Sequence, residues 1–148
     1  MALPPFRDDG WLPEGHHSTT WEDIIAVFGG DVESQRSRVL NNLLIWRNAV
    51  QQVGLSGLLI LDGSFISQKI APGDFDAIFI CDEICESILL EDSLAKELTD
   101  YQRCKEKGWG DIVTFGESTV RRFPLFCRLD GFDLDKKGVP KGVLEVRL

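Results

Sequence analysis

Two short apolar segments, separated by a turn-rich loop, constrain the fold of this chain more than any other feature. Residues 58–61 read Leu-Leu-Ile-Leu and are bounded by Gly57 and Gly63, and residues 75–80 read Phe-Asp-Ala-Ile-Phe-Ile. Apolar runs of this length between turn residues are typical of strands in a sheet. We therefore predict two strands here, joined by a loop over residues 65–73.

Helical patterns flank these strands. A capping box over residues 19–22 predicts the start of a short helix, and apolar residues at three- and four-residue steps predict two longer ones. The further predicted elements are helices ending near 28, over 33–53 and over 83–107, and strands over 111–115 and 143–148. The expected fold class is α/β (α+β), a small mixed sheet with flanking helices.

The length and charge of the chain limit the number of its domains and the partners that it can bind. Its 148 residues are the size of one domain, which we divide into an irregular arm (1–18), a core (38–115) and a C-terminal extension (116–148). Lys and Arg number 16 against 24 Asp and Glu, for a net charge of −8. Such a protein repels phosphate polyanions, so we expect no binding to duplex DNA or to a membrane surface.

Other sequence features concern the cellular compartment and the surface of the protein. Four scattered cysteines, no signal-peptide pattern and no apolar stretch near the ~20 residues that span a bilayer predict a soluble, reduced, cytoplasmic protein. Basic residues toward the C-terminus are interpreted as solvated surface, with steering of a polyanionic substrate as the alternative. They are Arg121, Arg122, Arg128, Lys136, Lys137 and Lys141.

The chemistry-bearing residues gather around the two predicted strands. Gly63 and Ser64 follow the first strand, and Asp74 and Asp76 flank Phe75 at the start of the second. A period of two places both carboxylates on one face of the strand, and paired hard oxygen ligands suit Mg²⁺. A glycine lets the backbone approach a bound group, and the adjacent serine hydroxyl and N–H groups can hold phosphate oxygens. This combination is suited to attack on a nucleoside triphosphate.

This pattern resembles the signature of the nucleotidyltransferase superfamily built on the polymerase-beta-like core, in particular its minimal toxin–antitoxin members. The motif stands here as Leu-Asp-Gly-Ser (61–64) and Asp-Phe-Asp-Ala (74–77), with Asp62 as an additional residue before the glycine. The resemblance covers roughly residues 38–115. It implies a nucleotidyltransferase-like core with the triphosphate held by Gly63 and Ser64.

The resemblance also implies the metal ligands and the cofactor. Asp74 and Asp76 would bind Mg²⁺ or Mn²⁺, and the family places a third carboxylate on the following strand, where Asp111 stands in the right order. Many minimal members carry an arginine shortly after the Gly-Ser pair. Lys69 is the one cation in the corresponding segment of this chain, so we predict a phosphate-binding role for it.

The implied function is transfer of a nucleotidyl group, AMP by expectation, from a nucleoside triphosphate to a hydroxyl of a protein or RNA acceptor. The resemblance places such proteins in toxin–antitoxin or defence modules. The acidity of the chain favours a protein acceptor over tRNA. The stretch after Phe115 leaves little room for the helical second domain of larger members, so we expect a protein partner or homo-oligomer to complete the site.

Two alternatives stay open. The chain is either a catalytically degenerate protein of this fold that acts as a binding or antitoxin-like interaction module, or a structural α/β domain with an accidental motif. In the latter, Gly63 and Ser64 form a plain turn and Asp74 caps the turn at Pro72 and Gly73. Metal-dependent nucleotide binding separates the structural domain from the other two, and label transfer separates enzyme from binding module.

Overall fold

The computed structural model describes residues 3–122 and 140–148. The strands are β1 (Gly15–Ser18), β2 (Gly57–Asp62), β3 (Asp76–Cys81), β4 (Asp111–Gly116) and β5 (Gly142–Arg147). The helices are α1 (Trp21–Phe28), α2 (Gln35–Gln52), α3 (Glu86–Glu91), α4 (Ser93–Leu98), α5 (Tyr101–Glu106) and α6 (Glu117–Arg122). Single 3₁₀ turns lie at Ser64–Ile66 and Glu83–Cys85. The predicted mixed α/β class is confirmed.

The five described strands form one mixed sheet in the order β1-β5-β2-β3-β4. The central strand β2 is antiparallel to both β5 and β3, whereas β1 runs parallel to β5 and β4 parallel to β3. The register pairs Asp62 with Asp76 and Asp76 with Asp111. Because residues directly opposite in paired strands point to the same face, these three aspartates form one row across the sheet.

The two faces of the sheet carry different layers. Leu59, Leu61 and Phe79 belong to the main core, to which α1, α2, α4 and α5 contribute buried side chains. Ile60 and Ile78 belong to a smaller apolar cluster on the opposite face. The aspartate row continues this second face, so it lies at the end of a partly covered apolar surface rather than in the main core.

The prediction of an irregular arm over residues 1–18 is wrong for the last four of these residues. Residues Gly15–Ser18 are strand β1, whose His16 stands opposite Val143 of β5. The His16 Nδ1 lies 2.6 Å from a Glu145 carboxylate oxygen, and the Thr19 N–H donates to the Glu145 carbonyl at 2.9 Å. Backbone pairing at a sheet edge needs no alternation of apolar residues, so the sequence pattern gave no sign of it.

The prediction of one long helix over 83–107 is also wrong, because aspartate side chains divide the segment. Asp92 accepts from the Ala95 N–H at 2.9 Å, and Asp100 accepts from the Arg103 N–H at 2.9 Å. Each aspartate thereby begins a new helix, since a carboxylate satisfies the free N–H groups of a first turn. A bond of the same kind places the N-cap of α1 at Thr20, one residue after the start of the predicted capping box, because the Thr20 side chain accepts from the Asp23 N–H.

The predicted C-terminal extension lies largely at residues 123–139, outside the described residues. The same holds for Arg128, Lys136 and Lys137 of the predicted basic surface. In the described ranges, no helix combines the length and the hydrophobicity needed to cross a membrane.

Trp46 provides a test of how α2 packs against the sheet. Its ring is fully buried edge-on against Phe79, and its Nε1 donates to the Leu98 carbonyl at 2.9 Å. We expect Trp46→Phe to lower the free energy of unfolding by about 2–4 kcal/mol, through a cavity and a lost buried hydrogen bond. The matched change is Trp21→Phe, which loses an exposed bond to the Arg147 carbonyl and costs about 1 kcal/mol or less. Urea denaturation measures both, and equal losses would contradict this packing.

Candidate metal centre

The sheet brings together the three aspartates singled out in the sequence. Asp76 is the first residue of β3, Asp111 is the first residue of β4, and Asp74 precedes β3 by two residues. One carboxylate oxygen from each can be chosen so that all three lie within 4.8 Å of one another. Asp74 is exposed, and the other two are partly buried. Their roles as metal ligands stay a prediction, but their proximity is a property of the fold.

Burial and repulsion between carboxylates raise the pKa values of Asp74 and Asp76 in this acidic triad (Asp74, Asp76 and Asp111). Burial, followed by the charges of Asp74, Asp111 and Asp62, raises the pKa of Asp76 to about 6. Burial and the charge of Asp111 also raise the pKa of Asp74, while Lys105 acts in the opposite direction. Converging hard oxygen donors whose negative charges repel one another fit a divalent cation such as Mg²⁺ or Mn²⁺.

The Gly63–Ser64 turn lies directly against the triad. Gly63 has φ +86°, and a Cβ built on it would stand 2.3 Å from the Asp76 Oδ2. The position therefore requires glycine for both its backbone conformation and its space. Ser64 follows Gly63 and begins the 3₁₀ turn Ser64–Ile66, so the predicted phosphate-binding pair lies next to the carboxylates that are predicted to bind metal.

Arg36, a residue that the sequence analysis missed, holds the loop after this turn. From α2 its guanidinium donates to the backbone carbonyls of Phe65, Ser67 and Lys69. Burial lowers the pKa of Arg36 from its usual range. Lys69 itself is exposed, and the phosphate-binding role of its side chain stays a prediction. No local spacing links Arg36 to the loop, so only the tertiary structure identifies it.

Asp62 and Lys141 form a buried ion pair beside the triad. Both residues are at least 95 % buried, and the Lys141 ammonium also lies 4.7 Å from the centre of the Trp11 ring. The prediction that Lys141 belongs to a solvated basic surface is therefore wrong. Burying either charge alone would be unfavourable, so the two residues depend on each other.

A second lysine contacts the other end of the aspartate row. The Lys105 Nζ lies 3.3 Å from Asp111 Oδ1 and donates to the Tyr101 hydroxyl at 3.2 Å. Hydrogen bonding to Tyr101 and the nearby Asp111 raise the pKa of Lys105. The sequence analysis did not single out Lys105, because it reads as an ordinary basic residue near a helix end.

The comparison with protein families covers almost the whole chain. A model described as "Family of unknown function (DUF6932)" matches residues 4–147. The chain belongs to this family. No curated protein and no solved structure matches it. In this DUF6932 protein, all five described strands and the acidic triad lie inside the matched range.

Substitution of Gly63 tests the close contact with Asp76. In Gly63→Ala the new Cβ displaces the Asp76 carboxylate, and we expect Mn²⁺ affinity to fall at least about tenfold, as measured by isothermal titration calorimetry. Gly108→Ala is the matched control, because Gly108 also has a positive φ (+72°) but its Cβ would meet nothing within 4 Å. Equal losses in the two variants would show that strain, not contact with the carboxylate, is responsible.

The raised pKa of Asp76 predicts a pH-dependent stability. The pKa of an Asp in an unfolded chain is near 3.9, whereas that of Asp76 in the folded protein is about 6. The stability that protonated Asp76 contributes is therefore lost as the pH rises from about 4 to about 6. In metal-free buffer with EDTA, we expect Asp76→Asn to raise the free energy of unfolding by about 1–3 kcal/mol at pH 7.5. The gain should shrink as pH falls toward 4.

Asp82→Asn is the control for this measurement. Asp82 accepts hydrogen bonds from Ser56 at 2.8 Å and from Arg147 at 2.9 Å, so losing its charge should bring no gain at pH 7.5. Denaturant titrations of both variants from pH 4 to pH 7.5 give the comparison. A gain for Asp76→Asn that does not depend on pH would contradict the repulsion argument.

Proposed function

We propose that this protein is a metal-dependent nucleotidyltransferase that moves a nucleotidyl group, AMP by expectation, from a nucleoside triphosphate to a hydroxyl. One observation carries the proposal: the carboxylates of Asp74, Asp76 and Asp111 converge within 4.8 Å, and the Gly63 backbone lies against one of them. A glycine-serine turn beside a cluster of oxygen ligands is suited to binding a metal-bound triphosphate. The resemblance of the motif to minimal nucleotidyltransferases supports the same activity.

The roles of the residues in this proposal are those that the family resemblance implies. Asp74, Asp76 and Asp111 hold Mg²⁺ or Mn²⁺, and Gly63 and Ser64 hold the outer phosphates of the substrate. The metal supplies positive charge for the attacking and leaving oxygens. A bond forms between the acceptor oxygen and the α-phosphorus while the bond to the bridging oxygen breaks. The electron pair leaves with pyrophosphate, and the acceptor proton passes to the Asp111 carboxylate.

The charge of the chain bears on the acceptor and the partner. With a net charge of −8, the protein repels a polyanion such as RNA, which favours a hydroxyl on a protein. The sequence resemblance points to a toxin–antitoxin or defence module, in which a protein partner or a second copy of the chain completes the site.

A second candidate is a binding module of the same fold without transfer activity. The observation that favours it is the ammonium of Lys105, which lies 3.3 Å from Asp111 and supplies positive charge at the third carboxylate. The charge of this lysine reduces the repulsion among the three carboxylates, which in an enzyme the bound metal ion would reduce. Such a protein binds nucleotide or partner and releases no pyrophosphate.

Transfer of label from nucleoside triphosphates labelled at the α-phosphate tests the proposal. With Mg²⁺ or Mn²⁺ in a cleared host lysate, we expect the wild type to label an acceptor, and Asp74→Asn and Asp76→Asn to reduce labelling at least about 100-fold. Asp31→Asn removes an exposed carboxylate outside the triad and should label like the wild type. Protease and ribonuclease digestion then identify the acceptor as protein or RNA.

The possible outcomes separate the two candidates. Full labelling by both aspartate variants would remove the triad from the mechanism. Metal-dependent nucleotide binding without label would support the binding module. Absence of both nucleotide binding and transfer would contradict the transferase and any nucleotide-binding module, and would leave the Gly63–Ser64 turn with a structural role.

A further inference from the structure

A cleft of about 220 Å³ opens beside the acidic triad. Its lining includes Asp74 and Asp111 of the triad together with Lys105, Asn42, Trp109 and Val39. Val39 and Asn42 come from α2 and Lys105 from α5, whereas Asp74 and Trp109 precede β3 and β4 and Asp111 is the first residue of β4. The cleft is thus formed between α2 and the ends of two strands, next to the carboxylates.

The cleft and the Gly63–Ser64 turn flank the triad on different sides. Gly63 follows β2 and contacts Asp76, whereas Asp111 belongs to β4, which lies on the other side of β3. An in-line displacement places the attacking and leaving oxygens on opposite sides of the phosphorus. With the outer phosphates at Gly63 and Ser64, the attacking hydroxyl must approach from the side of Asp111.

The wall of the cleft around Trp109 is preformed. The Trp109 N–H donates to the Cys104 carbonyl at 3.0 Å, and the Asp111 N–H donates to the Phe75 carbonyl at 3.2 Å. A Cβ on Gly110, which has φ +148°, would stand 2.6 Å from the buried Phe75 ring. The short segment between α5 and β4 is therefore tied at both ends and packed closely in the middle, as a site for a specific group requires.

We propose that this cleft is the acceptor site and takes one neutral, hydroxyl-bearing side chain of a protein, an inference that rests on the proposed function. Trp109 and Val39 offer an apolar wall for the body of the side chain, and the Asn42 amide offers hydrogen bonds. Among the described residues of the lining, the one cationic side chain is Lys105, which is already paired with Asp111, so the cleft offers little positive charge to the phosphates of an RNA acceptor.

The test fills the cleft from α2 without touching the triad. Asn42→Phe places a ring in the cleft, and Asn41→Phe is the matched control, because Asn41 is its exposed helix neighbour and is not part of the cleft lining. In the α-labelled ATP assay with lysate, we expect Asn42→Phe to lower acceptor labelling at least about tenfold and Asn41→Phe to label like the wild type. Mn²⁺-dependent binding of an ATP analogue with a methylene bridge between the α- and β-phosphorus should stay within about twofold in both variants.

Each outcome bears on the inference in a distinct way. Wild-type labelling by Asn42→Phe, or a label that ribonuclease removes, would overturn it while leaving the proposed function intact. Weaker binding of the ATP analogue by Asn42→Phe would assign the cleft to the nucleotide and would also overturn it. Failure of the wild type to label any acceptor is the failure of the proposed function itself, and this inference falls with it.

Discussion

The pairing register of β2, β3 and β4 is the constraint on which the candidate site depends. It places Asp62, Asp76 and Asp111 side by side. The register is set by burial, because alternate residues of β3 such as Ala77 and Phe79 belong to the main core. A slip of one residue would turn those side chains outward and direct carboxylates into the core, at a large free-energy cost. Packing far from the site thus determines its geometry.

Two lysines explain how the sheet tolerates so many carboxylates in one row. Lys141 pairs with Asp62 at the β2 end, and Lys105 contacts Asp111 at the β4 end. Asp76, in the middle, retains the strongly raised pKa that burial and its acidic neighbours produce. The uncompensated charge is therefore concentrated at the centre of the row, beside Gly63, where a divalent cation would offset it best.

The sequence predicted those parts of the fold and site that depend on local spacing. The strands around Gly63, Asp74 and Asp76 lie within about two residues of their predicted bounds, and Asp111 was predicted from strand order together with the family resemblance. Arg36, Lys105 and Lys141 were not recognised as parts of the site, because their partners are distant in sequence. The prediction of one long helix was wrong for a different reason: N-capping by Asp92 and Asp100 competes with helical periodicity and begins a new helix after each of them.

The position of Arg36 bears on how this site would bind a triphosphate. Its partly buried guanidinium donates to backbone carbonyls of the loop after Ser64, so it orients the loop and is itself held by these bonds. A group engaged in this way supplies hydrogen bonds to protein oxygens rather than to phosphate. Under the proposed function, the attraction for the outer phosphates then comes mainly from the metal ion held by the triad and from the Gly63–Ser64 turn. Nucleotide affinity in this fold would therefore depend on the cation more strongly than where an arginine contacts the phosphates directly.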